Sequence, residues 1–524
     1  MKGLMSSRVK VFLGLVVTVL FIISSPVRAD VKLPNVIDSN MVLQRDMTVP
    51  IWGWADAGEQ VTVKLGEQEV NTTADAKGNW TVKLASMKAG GPYEMIIKGK
   101  NTIKLAGILV GEVWLCSGQS NMEMGVNSSN DAEKETAGAD WPKIRLFHVS
   151  KQTSGQPTPD LKVKGVWRIC SPKSIGMTDG WGGFSAAGYY FGRELHKKLN
   201  VPIGLISSPW GGTRIEPWTP PVGFESNPKL KNIVDYIDQS NKNYRMLLPS
   251  KLNELEAWTK AARKSLADNE PIPPQPSWPK HPLDSEGVAT GLYNAMIYPL
   301  VPSAIRGAIW YQGESNLGDG EMYYEKMKAL ISGWRKVWGE GDFPFYFVQL
   351  APYKYKSAWK RATTFELPEM WEAQIASLSI PNTGMAATMD ISNLDDIHPK
   401  NKQDVGKRLA FLALAKTYGC KDMVYTGPTY KSMSVEGGKI RVRFDNIGSG
   451  LASRDGKELK WFEVAGEDKK FVEAQAKIDG DTLLVWSDSV SKPSAVRFGW
   501  HEMAEVNLMN KEGLPALPFR TEKW

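Results

Sequence analysis

The chain has 524 residues, 42% of them hydrophobic and 23% charged, with a net charge of +7. Its length exceeds a single core and predicts about three domains, and the composition excludes a disordered or low-complexity protein. Three widely spaced cysteines, Cys116, Cys170 and Cys420, fit neither a disulfide scaffold nor a metal cluster and are expected as buried thiols.

Lys2, Arg8 and Lys10 precede an apolar run from Val11 to Ile23, and Val27-Arg28-Ala29 follows as a cleavage-like site. Residues 1–29 therefore read as a signal peptide, the run being short for a membrane span. The expectation is an exported protein, periplasmic or extracellular, without stable membrane insertion. Removing the four basic residues of that segment leaves a net charge of +3. With no basic block elsewhere, nucleic acid is not an expected partner.

From residue 30 to 107 short two-periodic runs dominate. Val61 to Leu65 and Trp80 to Leu84 flank the turn Asp75-Ala76-Lys77-Gly78-Asn79, which predicts a small β-sandwich. Residues 108–420 alternate apolar strands with amphipathic helices, the mark of an α/β domain. The strands expected are Ile108–Leu115, Ile203–Ser207, Ile305–Trp310, Phe345–Gln349 and Met385–Met389. The helices expected are Ala186–Leu199, Tyr323–Trp338, Leu367–Ser377 and Lys402–Tyr418. An insertion of about residues 221–287 interrupts them, with a polar helical stretch (Lys229 to Asp268) running into a proline-rich segment. Period-2 runs return over 421–524 as a C-terminal β-domain. The sheet is expected to be parallel, with the functional loops at the carboxyl ends of its strands. Twenty tryptophans suit core packing, or aromatic surface for sugar rings.

The chemistry concentrates in four short segments. Gly118-Gln119-Ser120-Asn121-Met122 follows the first α/β strand, so Ser120 ends a strand in a tight glycine-led turn. Asp395-Asp396-Ile397-His398-Pro399 precedes a helix, and proline suits its first turn. A serine so placed, with a histidine and nearby carboxylates later in the chain, is the pattern of a serine hydrolase in the order Ser…Asp…His. The Gly-x-Ser-x-Gly elbow is absent. Gly211-Gly212-Thr213 offers a backbone N–H that can approach a ligand without a Cβ. Gln312-Gly313-Glu314-Ser315-Asn316 offers amides and a carboxylate at a strand's end. His148, His196, His281 and His501 lack such settings and are read as structural. No His-x-x-x-His or Cys-x-x-Cys pair is present, so neither a catalytic metal nor any other cofactor is expected.

Together these segments, with Gly291-Leu292-Tyr293-Asn294 and Pro518-Phe519-Arg520, resemble the sialate O-acetylesterase and carbohydrate acetylesterase branch of the SGNH hydrolases. The resemblance implies a flavodoxin-like three-layer α/β/α domain flanked by β-rich domains, and an O-acetylated carbohydrate substrate. It makes Ser120 the nucleophile and His398 the base, with the N–H groups of Ser120 and Gly212 forming the oxyanion hole. The chain departs from the family's Gly-x-Asn-Asp block, and Gln312 is expected as third donor ahead of Asn316. For the acid that orients His398, Asp395 is ranked first and Glu314 second, with Asp396 the remaining choice. Arg214 and Asn294 are the candidates for substrate binding, Arg214 through a sialate carboxylate, with an ion pair to Glu216 as the competing role. A sialate O-acetylesterase is the first reading. A plant-polysaccharide (xylan-type) acetylesterase is second, and a non-catalytic carbohydrate-binding protein a distant third.

Overall fold

One long strand, β1 (Thr102–Gly118), organises the computed structural model, which describes residues 30–177, 181–359, 362–522 and 524. The segment read as a signal peptide lies outside the described residues. The first half of β1 alternates in burial, whereas its last eleven residues, from Ile108 on, are all buried. That change follows the sequence: Leu109-Val110-Gly111-Glu112-Val113-Trp114-Leu115-Cys116 is a near-continuous apolar run, as strands covered on both faces require. The outer half pairs with Gly90–Lys98 (antiparallel) and the middle with Val42–Gln44 (parallel), both in the N-terminal β-rich region. The inner half enters the central sheet. A single strand thus crosses the boundary expected at residues 107 and 108.

The other strands of the central sheet are β2 (Trp141–His148), β3 (Trp167–Cys170), β4 (Ile203–Pro209), β5 (Gly307–Tyr311), β6 (Phe345–Val348) and β7 (Thr383–Ala386). Their spatial order is β7-β6-β5-β1-β4-β2-β3, and every neighbouring pair is parallel except β2 with β3. The sheet is therefore mixed, not wholly parallel. β3 was not expected and β2 only at His148, because polar and proline residues interrupt their apolar pattern.

Helices α1 (Ala186–Leu199), α2 (Lys231–Ala267), α3 (Met322–Trp338), α4 (Glu366–Ala376) and α5 (Lys402–Lys416) follow the expected spans within a few residues. α1 packs on α5, and α3 on α4. The core between sheet and helices is aromatic. Trp114 meets Phe191 of α1 at 5.0 Å, while Trp310 of β5 meets Trp334 of α3 at 5.9 Å. Trp114, Trp218, Trp310, Trp334 and Trp371 are all fully buried, so much of the tryptophan content is core. α2 carries the insertion, and Trp258 donates to the Pro273 carbonyl at 2.8 Å, folding the proline-rich segment back along it.

The C-terminal region is antiparallel. One sheet holds Thr429–Glu436, Lys439–Asp445, Thr482–Trp486 and Gln475–Asp479; another holds Val472–Glu473, Phe462–Ala465, Ala495–Phe498 and Phe519–Arg520. The cysteines are unpaired. Cys116 and Cys170 are buried as expected, whereas Cys420 is only half-buried.

Candidate active site

β1 ends where the chain changes sides: β2 to β4 are laid down on one flank, β5 to β7 on the other. Crevices at such switch points are where α/β sheets bind ligands. Gly118 has φ +138°, and a Cβ there would collide with the Tyr311 carbonyl, so the turn requires glycine. The Trp210 N–H donates to the Gly118 carbonyl (3.0 Å) and the Gln119 N–H to the Tyr311 carbonyl (2.9 Å). Ser120 is thereby held between the ends of β4 and β5, at the start of a one-turn helix, Ser120–Glu123. Its backbone N–H has no partner among the described residues.

His398 reaches this turn from the loop before α5. Its Nε2 lies 3.0 Å from Ser120 Oγ, within hydrogen-bond reach. On the other side of the ring, Nδ1 lies 3.3 Å from Asp396 Oδ1, which also accepts the His398 backbone N–H at 2.9 Å. An aspartate bonded to the N–H two residues on is an Asx turn, and the turn itself swings the carboxylate onto the imidazole. Burial lowers the His398 pKa below its ordinary value and Lys402 adds to this, while Asp396 pulls it back up. Trp181, a residue the sequence did not single out, stands edge-on to the imidazole at 4.6 Å and is 42% exposed.

The ranking of acids needs correction. Asp395 points away from the ring into an exposed ion pair with Lys354. Asp395 precedes the Asx turn, and its own N–H is bonded back to Asn393 Oδ1 at 3.0 Å. Glu314 does not contact His398 either. It is buried, with Oε1 accepting from Asn121 Nδ2 at 2.5 Å and Oε2 unpartnered among the described residues. Burial raises its pKa.

The Gly211–Gly212 loop lies against the serine. A Cβ on Gly211 would stand 3.2 Å from Ser120 Cβ, and the Gly211 N–H donates to Glu123 Oε2 at 2.6 Å. Glu123 is held in turn by Lys151 at 2.7 Å. Gly212 has φ +77° and open space where a Cβ would be; its N–H, too, has no partner among the described residues.

Gln312 is not available as a donor. Fully buried, it spends its amide hydrogens on the Thr213 carbonyl (3.1 Å) and Asn316 Oδ1 (2.7 Å), while Oε1 accepts from Tyr323. Asn316 is equally committed, donating to Glu216 and Asp319. Arg214 takes the competing role. Its guanidinium bonds Glu216 (3.1 Å), both oxygens of Asp319 (2.9 and 3.0 Å) and the Ser315 carbonyl (2.9 Å). Two carboxylates thus already occupy the fork expected to grip a third. Asn294 is 2% exposed and ties down the distant loop that follows β2, donating to the Ser154 carbonyl at 3.0 Å. In this structure both side chains bond neighbouring protein groups, Arg214 through its guanidinium and Asn294 through Nδ2.

Two residues without an expected role complete the site. Asn121 is buried beneath the serine turn, and its Nδ2 donates to the Ile397 carbonyl (3.1 Å) as well as to Glu314. Lys402, fully buried, donates to Asn121 Oδ1 (2.8 Å) and the Pro399 carbonyl (2.5 Å). Burial lowers its pKa to about 7, against the opposing pull of Glu314 and Asp396. A signal was present in the sequence: lysine opens a helix, where the dipole disfavours a cation, four residues after His398. Among the described residues no group of three or more His, Cys, Asp or Glu side chains is placed to hold a metal ion.

Comparison with known proteins places the chain among carbohydrate esterases. The family model "Carbohydrate esterase, sialic acid-specific acetylesterase" matches residues 110–249 and 277–415. The chain is 34% identical to the rat (Rattus norvegicus) sialate O-acetylesterase over 439 residues, covering 77% of each chain. It is 31% identical to the human (Homo sapiens) sialate O-acetylesterase over 448 residues, covering 79% of this chain and 76% of the relative. Among solved structures, a carbohydrate acetylesterase from Xanthomonas citri superposes with a TM-score of 0.79 at 35% identity, covering 94% of this chain and all of the other.

Proposed function

Since the chain belongs to the sialic acid-specific acetylesterase family of carbohydrate esterases, we propose that it removes O-acetyl groups from sialic acids by acyl transfer through Ser120. The observation that carries the reading is the 3.0 Å contact between Ser120 Oγ and His398 Nε2 at the carboxyl end of β1. Ser120 Oγ attacks the acetyl carbonyl as His398 Nε2 takes its proton. Asp396, on Nδ1, orients the ring and stabilises the imidazolium that forms. The carbonyl oxygen gathers charge as the tetrahedral intermediate forms, and the unpartnered N–H groups of Ser120 and Gly212 receive it. Each such donor is worth about a hundred- to a thousandfold in rate. His398 then protonates the departing sugar oxygen, and a water activated by the same ring frees acetate from Ser120. Trp181, beside the imidazole and partly exposed, supplies an apolar face for the sugar ring.

The two helix pairs and the sheet between them support reading the central domain as the flavodoxin-like three-layer sandwich of SGNH hydrolases. The charge and apolar pattern of residues 1–29 supports export to the periplasm or cell exterior.

A second reading has one observation in its favour. Arg214 is saturated by Glu216 and Asp319, so the cation closest in sequence to the oxyanion loop is not reserved for a sialate carboxylate. A neutral acetylated polysaccharide such as xylan would not miss it. Acetate release from O-acetylated sialic acid and from acetylated xylan, measured side by side, separates the two. Preference for xylan would overturn the sialate assignment and leave the esterase chemistry standing.

A further inference from the structure

The two loops that carry the reacting pair are joined from below by two buried side chains. Asn121, next in the chain to Ser120, bonds the carbonyl of Ile397, the residue before His398. Lys402 bonds the carbonyl of Pro399, the residue after it. The two side chains are bonded to each other at 2.8 Å. His398 is therefore held at both flanking carbonyls, at one by Asn121 of the serine turn and at the other by Lys402 of α5, which is itself tied to that turn through Asn121. With Asn121 at 1% exposure and Lys402 at 0%, neither can touch a substrate.

A neutral donor would suffice to hold two carbonyls. An ammonium in the same place carries a desolvation cost, and at the first residue of α5 it also opposes the helix dipole. Countercharge comes from Glu314, which reaches the pair through Asn121. We propose that Lys402, acting with Asn121, is a positioning residue for the acyl transfer: it fixes His398 against Ser120 and keeps a positive charge behind the imidazole, so that the base is neutral between turnovers. This inference rests on the Ser120–His398 reading above.

The charged groups acting on the ring are Asp396 from its own loop and Lys402 from α5, with Glu314 beyond Asn121; Ser120 and Trp181 face it uncharged. Lys402 lowers the affinity of His398 for a proton. Burial takes Lys402 itself down only to about 7, so it is still charged on the acid side, where His398 titrates. Removing that charge must move the acid limb of kcat/KM to higher pH.

The test uses the full chain with a small aryl acetate and O-acetylated sialic acid. In Lys402→Met, kcat should fall by about a hundredfold, as expected for misplaced reacting groups, with KM little changed and the acid limb moved to higher pH. Lys402→Gln, which keeps a donor without the charge, should show the same displacement and serves if the methionine variant fails to fold. Asn121→Ser removes the bonds to Ile397, Glu314 and Lys402 but leaves the lysine's charge in place, so it should lower kcat without moving the limb. A folded Lys402 variant with wild-type kcat, or one whose kcat falls while its acid limb stays in place, overturns the inference. Ser120→Ala, assayed in parallel, tells the two failures apart: if it is inactive while the Lys402 variants behave as wild type, only the positioning role falls.

Discussion

Two charged clusters, one half-buried and one fully buried, flank the Glu314–Asn316 turn, and they differ in how completely their charges are matched. On one side Arg214 and Lys326 face Glu216 and Asp319. All four carboxylate oxygens accept a bond from one of those cations or from Asn316. On the other side Lys402 shares Asn121 with Glu314, whose Oε2 has no partner among the described residues. The matched cluster resembles a structural rivet: breaking it leaves half-buried charge without its partner. The under-satisfied one lies directly beneath Ser120 and His398. Incomplete satisfaction of buried polar groups is costly, and here the cost falls where the chemistry is proposed.

The largest effect is expected at the reacting pair itself. Ser120→Ala should lower kcat by at least about ten-thousandfold on either substrate, as loss of a serine nucleophile does in other hydrolases, with the melting temperature unchanged. Near-wild-type turnover would detach the Lys402 cluster from catalysis altogether.

Next in size is the choice between neighbouring aspartates. Asp396→Asn should cost about a hundred- to ten-thousandfold in kcat, because an amide cannot stabilise the imidazolium and can select the wrong tautomer. Asp395→Asn, in the exposed pair with Lys354, should leave kinetics alone. Comparable losses in both variants would mean that the Asx turn does not govern the ring.

The two clusters should also answer pH with opposite signs. Burial pushes Glu216 up, but Lys326 and Arg214 outweigh it and hold the carboxyl at about 2, against 4.5 ordinarily. A depressed carboxyl pKa contributes stability that is present above about pH 4.5 and lost as pH falls towards 2. The stabilisation lost is on the order of 3 kcal/mol. Glu314, raised by burial, contributes the reverse: stability present below its unfolded pKa and lost as pH rises through the folded one. Denaturant melts across acid pH should therefore show a slope that Glu216→Gln removes and an opposing one that Glu314→Gln removes. Slopes of the same sign would erase the distinction between the clusters.

The smallest expected effect is at Arg214. Arg214→Met should cost about 1–2 kcal/mol of stability, the loss of charge-assisted bonds discounted for a side chain 40% exposed. The ratio of activities on O-acetyl sialate and aryl acetate should not change. A selective loss on the sialate substrate would return Arg214 to the substrate site.

Much of this protein was legible from residue order alone. Apolar runs such as Leu109 to Cys116 set the buried strands, and the helical period set α1, α3, α4 and α5, because periodicity reports which face is buried. Ser120 and His398 stood out because each occupies a turn whose local chemistry is written in adjacent residues: a glycine before the serine, a proline after the histidine. The tertiary structure alone decided what lies opposite each side chain. Asp395 and Asp396 are identical in type and adjacent in sequence, and only the Asx turn directs one of them to the ring. Gln312 and Arg214 carry suitable donors, yet Asn316, Glu216 and Asp319 claim them first, and hydrogen-bond capacity is finite. Lys402 is the converse case. A lysine reads as a surface residue until α5, the serine turn and Glu314 close over it, because burial belongs to the packed chain and not to the residue.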